Sequence, residues 1–159
     1  APGAAAEPVS GGLVRARIDP AAGRMARSAL DDSRVEFPRV DDRLIGRRHR
    51  HVALATETGR TDLLAGEYDA VRWYDTQTGS SRVWDAGDLS VGEPVFAPEP
   101  GRDSEEHGHW LTFATDRTDG SSWFLVIPAE DPAAGPVARA RIPVRVPLGL
   151  HGSWLPTEA

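Results

Sequence analysis

A turn signature recurs at a fixed interval along this 159-residue chain and restricts its fold more than any other feature. A strand-like run, an aspartate, three residues, a glycine and a second strand-like run occur around Asp19–Gly23, Asp75–Gly79 and Asp131–Gly135, so the aspartates stand 56 residues apart both times. Asp opens such a turn by accepting hydrogen bonds from N–H groups ahead of it, and Gly supplies positive φ near its end. Each signature predicts a hairpin. A unit of roughly fifty residues with about four short strands has the size of a β-propeller blade, which buries its faces against neighbouring blades. Three hairpins then predict about three blades, an incomplete arc, because closed propellers hold about four to eight. Unrelated hairpins in a β-sandwich would also carry Asp and Gly, but they have no reason to repeat one interval twice.

The rest of the sequence fits an all-β chain. Sixteen Gly and 13 Pro break up the apolar runs, and no window sustains a 3.6-residue apolar period over three turns. Strands are predicted at Leu13–Ile18, Arg24–Leu30, Val52–Ala55, Ala70–Tyr74, Ser81–Trp84, Pro94–Ala97, Trp110–Thr115, Trp123–Ile127 and Val137–Ile142. Eighteen basic residues, all arginine, against 24 acidic ones give a net charge of −6 with no basic footprint. No nucleic-acid partner is therefore expected. The apolar runs fall far short of the roughly 20 residues a spanning helix needs. The absence of cysteine excludes a disulfide scaffold and thiolate metal sites and fits a reducing compartment, so a cytoplasmic location is expected. Residues 1–12, rich in Ala, Pro and Gly, are expected to be poorly ordered and have neither the charged head nor the apolar core of a signal peptide. With Ala rather than Met at its start, the chain reads as a piece of something longer.

After each hairpin the chain must enter the next blade's innermost strand, which lines a propeller's central channel. At that phase stand Glu36, Glu93 and His151, 17, 18 and 20 residues beyond the hairpin aspartates. Two carboxylates and an imidazole are thus expected to converge on one axis. Flanked by Pro, Phe and Leu, they would be costly to leave unpaired and should either bond one another or hold an ion. Neutral imidazole ligates iron, zinc or copper, and a carboxylate behind it fixes the tautomer. Spacing alone leaves a second reading open, in which the glutamates cap backbone N–H groups and His151 is a core residue. The other histidines are weaker candidates. His49 and His51 sit among Arg47, Arg48 and Arg50, which repel a cation. His107 and His109 follow Glu105-Glu106 in a polar run and superficially match the histidine pair of a cupin, but the glutamate a cupin needs a few residues on is missing. Trp73, Trp84, Trp110 and Trp123 lie in predicted strands and read as packing between blades.

Four segments carry a resemblance: Val35-Glu36-Phe37-Pro38-Arg39-Val40-Asp41, Gly46-Arg47-Arg48-His49-Arg50, Gly92-Glu93-Pro94-Val95-Phe96, and Leu150-His151-Gly152-Ser153-Trp154-Leu155-Pro156. In this order they look like the C-terminal motifs of the carotenoid cleavage oxygenase family, and the match runs from Leu13 onward. The resemblance implies a seven-bladed propeller, of which residues 1–159 would be the C-terminal part of a single domain. It implies Fe(II) on the axis, held by four histidines, three of them backed by glutamates. It also implies cleavage by O2 of a conjugated double bond in a carotenoid, apocarotenoid, related polyene or stilbene. On this footing His151 matches the last iron ligand, and Glu36 and Glu93 match two of the glutamates behind the ligands. The other three histidines and the remaining glutamate lie upstream in such proteins, and nothing in this chain matches them. A hydrophobic polyene and O2 are the implied partners, with room for peripheral membrane contact by a full-length protein. Leu148 and Leu150 stand where members often carry larger or aromatic side chains, which bears on the substrate. The competing reading is a non-catalytic propeller used as a binding scaffold, which needs no polar groups on its axis.

Overall fold

The computed structural model describes residues 11–157, so most of the segment expected to be poorly ordered lies outside the described residues. The chain is all-β, and it divides into two units, Ala1–Val35 and Glu36–Ala159. The first unit holds β1 (Leu13–Asp19) and β2 (Arg24–Asp31), an antiparallel pair closed by the first signature turn. Asp19 accepts a hydrogen bond there from the N–H of Ala22 at 3.0 Å.

The second unit holds two sheets. The first runs in sequence order through β3 (Val35–Arg39), β4 (His51–Thr56), β5 (Ala70–Asp75) and β6 (Ser81–Asp85). The second comprises β7 (Leu89–Val91), β8 (Val95–Pro98), β9 (Gly108–Asp116), β10 (Ser122–Pro128) and β11 (Ala138–Ile142). Both β7 and β8 pair antiparallel with β9, as two pieces of one edge strand. Counting them as one, the Asp75 and Asp131 turns each join the third strand of their sheet to the fourth.

The two turns are built differently. Asp75 accepts hydrogen bonds from the N–H groups of Gln77 and Thr78, and Gly79 closes the turn at φ 74°. After Asp131 the chain instead winds one 3-10 turn over Pro132–Ala134, whose own backbone bonds suffice, and the Asp131 carboxylate caps nothing. A further copy of the same signature, Asp116–Gly120, joins β9 to β10 outside the 56-residue period. It repeats the Asp75 turn closely: Gly120 donates to the Asp116 carbonyl at 2.8 Å, as Gly79 does to Asp75. The signature thus encodes a turn, and the 56-residue interval places the Asp75 and Asp131 copies alike, whereas the Asp19 copy closes a two-stranded sheet.

A single core joins the two sheets. Ala53, Ala55, Val71 and Trp73 from the first meet Leu89, Val91, Phe96, Trp110, Ala114, Leu125 and Ile127 from the second. Alternation along β9 turns Trp110, Thr112 and Ala114 inward and leaves Phe113 half exposed on the other face. Each large apolar side chain buried here contributes roughly 1.5–3 kcal/mol.

Candidate metal centre

Glu93 is aimed by an irregularity in its strand. From Val91 to Val95 the edge strand takes four steps while its partner β9 takes three, from Ala114 to Leu111. This extra residue is a β-bulge, which breaks the ladder and redirects side chains. Pro94 has no N–H to place in a ladder and sits fully buried at the break. The Glu93 side chain is consequently only 6% exposed, although it carries a carboxylate.

That carboxylate is fully engaged. Its Oε1 lies 3.1 Å from Nδ1 of His151, and its Oε2 accepts the Gly152 N–H at 2.7 Å and pairs with Arg39 Nη1 at 3.2 Å. A carboxylate only accepts, so Nδ1 carries the proton and the lone pair of the neutral ring is left on Nε2. Nε2 has no hydrogen-bond partner among the described residues, and the His151 side chain is 76% exposed. Edge-on to the ring, 6.1 Å between centroids, stands Phe37, which also meets Tyr68 edge-on. Phe37 holds φ 54°, a left-handed conformation that costs a bulky residue about 1–3 kcal/mol.

Two of the three expected axial residues therefore come together. Glu36, by contrast, is exposed and makes no contact with His151; the next residue, Phe37, meets the imidazole instead. The segment bearing His151 also differs from expectation, since no strand forms after Ile142 among the described residues. Pro143 and Pro147 cannot donate to a ladder, and the chain crosses as an irregular strap, tied at Val146 N–H to Ser122 Oγ. Arg39 lies within a quoted motif but received no role from the sequence; its contact with Glu93 joins positions 54 residues apart.

The weaker histidines sit elsewhere. His49 precedes β4 and is exposed, and His51 Nε2 lies 3.3 Å from Glu106 Oε1. His107 meets Arg102, and His109 falls within β9, which starts two residues earlier than expected. Glu105, in the polar run before them, caps the start of β4 by accepting the N–H groups of Arg50 and His51. No group of three or more potential ligands gathers anywhere among the described residues. Beside His151 opens an apolar cleft of about 500 Å³, lined by Val95, Leu111, Phe113, Phe124, Leu150 and Trp154 among others.

A propeller-type sheet pair with a carboxylate-backed imidazole defines a class, and comparison with known proteins agrees. The chain belongs to the retinal pigment epithelial membrane protein family, whose pattern spans residues 2–156. It is 33% identical over 148 residues to a carotenoid cleavage oxygenase of Mycobacterium tuberculosis, covering 91% of this chain and 29% of that protein. It is 30% identical over 127 residues to lignostilbene-alpha,beta-dioxygenase isozyme III of Sphingomonas paucimobilis, covering 75% and 26%. The crystal structure of cobalt-substituted Synechocystis apocarotenoid oxygenase superposes with a TM-score of 0.82 at 28% identity, over 92% of this chain and 30% of that one. This likeness gives the β-propeller class and shows that a metal cofactor occurs in the family. The chain spans less than a third of the length of these relatives.

Proposed function

We propose that residues 1–159 are the C-terminal part of a single seven-bladed propeller, about three blades of it, in an Fe(II)-dependent dioxygenase that cleaves a conjugated double bond of a carotenoid, apocarotenoid or related polyene or stilbene. The observation that carries this reading is the Glu93–His151 pair: a buried carboxylate fixes the proton on Nδ1 and presents Nε2 unpaired. A binding scaffold has no use for a buried carboxylate held in this way. The residues fit a metal. His151 would hold Fe(II) through Nε2, with three histidines from the rest of the protein, and Glu36, exposed here, would stand behind one of those.

When bound, Fe(II) supplies the redox centre at which O2 is put to use. This chain's part is to hold one ligand in one tautomer and orientation. Glu93 keeps the proton on Nδ1, Gly152 and Arg39 keep Glu93 in place, and Phe37 limits the tilt of the ring. Neutral histidine ligands leave the metal's charge uncancelled, while the carboxylate behind the ring raises its basicity. The apolar cleft beside His151 suits a hydrocarbon chain. The names of the relatives, carotenoid cleavage oxygenase and lignostilbene dioxygenase, support a polyene or stilbene substrate with O2. The lack of cysteine supports a cytoplasmic location, and no helix among the described residues is long and apolar enough to cross a membrane. The test is the full-length protein carrying His151→Ala, assayed for bound iron and for aldehyde or ketone product. Both should be lost, and wild-type iron content would overturn the reading.

A further inference from the structure

We infer that Arg39 is a positioning residue of this site: it fixes the strap that carries His151 and decides which oxygen of Glu93 the imidazole receives. This rests on the reading of His151 as a metal ligand. The Arg39 side chain is 17% exposed, and its guanidinium serves three acceptor groups at once. Nη1 donates to the Gly152 carbonyl at 2.8 Å and pairs with Glu93 Oε2 at 3.2 Å, while Nη2 reaches both oxygens of Asp42 at 3.1 Å. Gly152 is thus gripped from both sides, its carbonyl by Arg39 and its N–H by Glu93 Oε2. With Oε2 already accepting the Gly152 N–H and paired with the Arg39 charge, Oε1 is the oxygen left for Nδ1 of His151. The strap has no strand partner among the described residues, and the nearest hydrogen-bonded tether before Gly152 is six residues back, at Val146. Release of Gly152 would let the ring pivot about that distant anchor.

The geometry calls for arginine specifically. Only a planar fork of donors can bridge a carbonyl and two carboxylates from one position, whereas an ammonium supplies a point charge on a flexible stem. Asp42, on the short 3-10 turn Asp42–Leu44, holds the far side of the fork and touches neither Glu93 nor His151.

The experiment uses the full-length protein with Arg39→Lys, Arg39→Gln, Asp42→Ala and, as reference, His151→Ala. Three quantities are read: amide deuterium exchange across residues 149–154 in metal-free protein, the dissociation constant for Fe(II), and the ligand-field spectrum after cobalt(II) loading. Arg39→Gln should speed exchange at Gly152 by about tenfold or more, weaken iron binding by roughly 10–100-fold and alter the cobalt spectrum. Arg39→Lys should not restore slow exchange, because the charge alone does not make the bridge. Asp42→Ala should shift all three in the same direction by less, which keeps the test valid if Arg39→Gln folds poorly. Wild-type exchange, affinity and spectrum in Arg39→Gln would overturn the inference. Wild-type affinity in His151→Ala would instead overturn the ligand reading on which it rests, while exchange at Gly152 would still report on the strap.

Discussion

The Glu93 carboxylate loses nearly all of its water and receives a donor on each oxygen, His151 on one and Gly152 on the other, with the Arg39 charge paired to the second. Removing the charge from such a cluster replaces charge-assisted hydrogen bonds with weaker neutral ones. Glu93→Gln keeps the shape and should cost the full-length protein roughly 10–100-fold in iron affinity or turnover. His151→Ala removes the ligand itself, so the double variant should be no worse than His151→Ala alone. Iron content and turnover of the three variants check this; a further loss in the double variant would show that Glu93 acts on something besides His151. The residue pair was legible in the sequence because the repeat places Glu93 and His151 at equivalent phase and because the motifs around them are specific. Arg39 and Phe37 were not assigned, since one acts through a backbone carbonyl 113 residues away and the other through a left-handed backbone that favours no bulky side chain. For Glu36 the phase was legible, but no partner for it lies within this chain's described residues.

At the scale of elements, the β5–β6 hairpin carries an acid-sensitive clasp. The Arg50 side chain grips Asp75 through Nε at 2.9 Å and Nη2 at 2.8 Å, and with the Gln77 and Thr78 N–H groups it holds the Asp75 carboxyl well below the usual carboxylate range. A depressed folded value means that the clasp stabilises above the unfolded carboxyl's pKa, about 3.9, and is lost as pH falls from there toward the depressed value. Asp75→Asn keeps an acceptor for the turn but loses the charge. Its stability deficit against wild type should therefore shrink as pH is lowered from about 5 to about 2, read from urea midpoints of the full-length protein. A deficit independent of pH would remove the clasp from the account. In the third signature turn the limit is steric: a Cβ on Gly135, at φ 85°, would meet Trp84 Nε1 at 2.6 Å. Gly135→Ala should cost about 1–3 kcal/mol and alter tryptophan fluorescence. Alternation and turn residues made most strands legible. The β7 strand, only Leu89–Val91, and the bulge after it were not, because three residues are too few to show a period.

The two sheets of the second unit share one core, yet the outer face of the second sheet keeps Phe113 48% exposed against Phe124, their rings 5.3 Å apart, along the apolar cleft. Further along, Leu148, Leu150 and Leu155 are each more than half exposed on the strap. A blade covers such surface with its neighbour, and the family relatives are more than three times as long as the stretch matched here. The 56-residue period made the like placement of the Asp75 and Asp131 turns legible from sequence, whereas it does not by itself fix a number of blades. Taken by itself, then, the 159-residue chain offers Fe(II) one carboxylate-backed imidazole and no gathering of three ligands among the described residues. A single neutral nitrogen does not hold ferrous iron against water. The isolated chain should therefore bind no stoichiometric iron, form no aldehyde or ketone from apocarotenoids or stilbenes with ferrous iron and O2, and self-associate through its uncovered faces and strand edges. Metal analysis, product assay and size-exclusion chromatography read these three outcomes. Reproducible cleavage by the purified 159-residue chain would overturn the proposal that the remaining ligands must come from elsewhere in a longer protein.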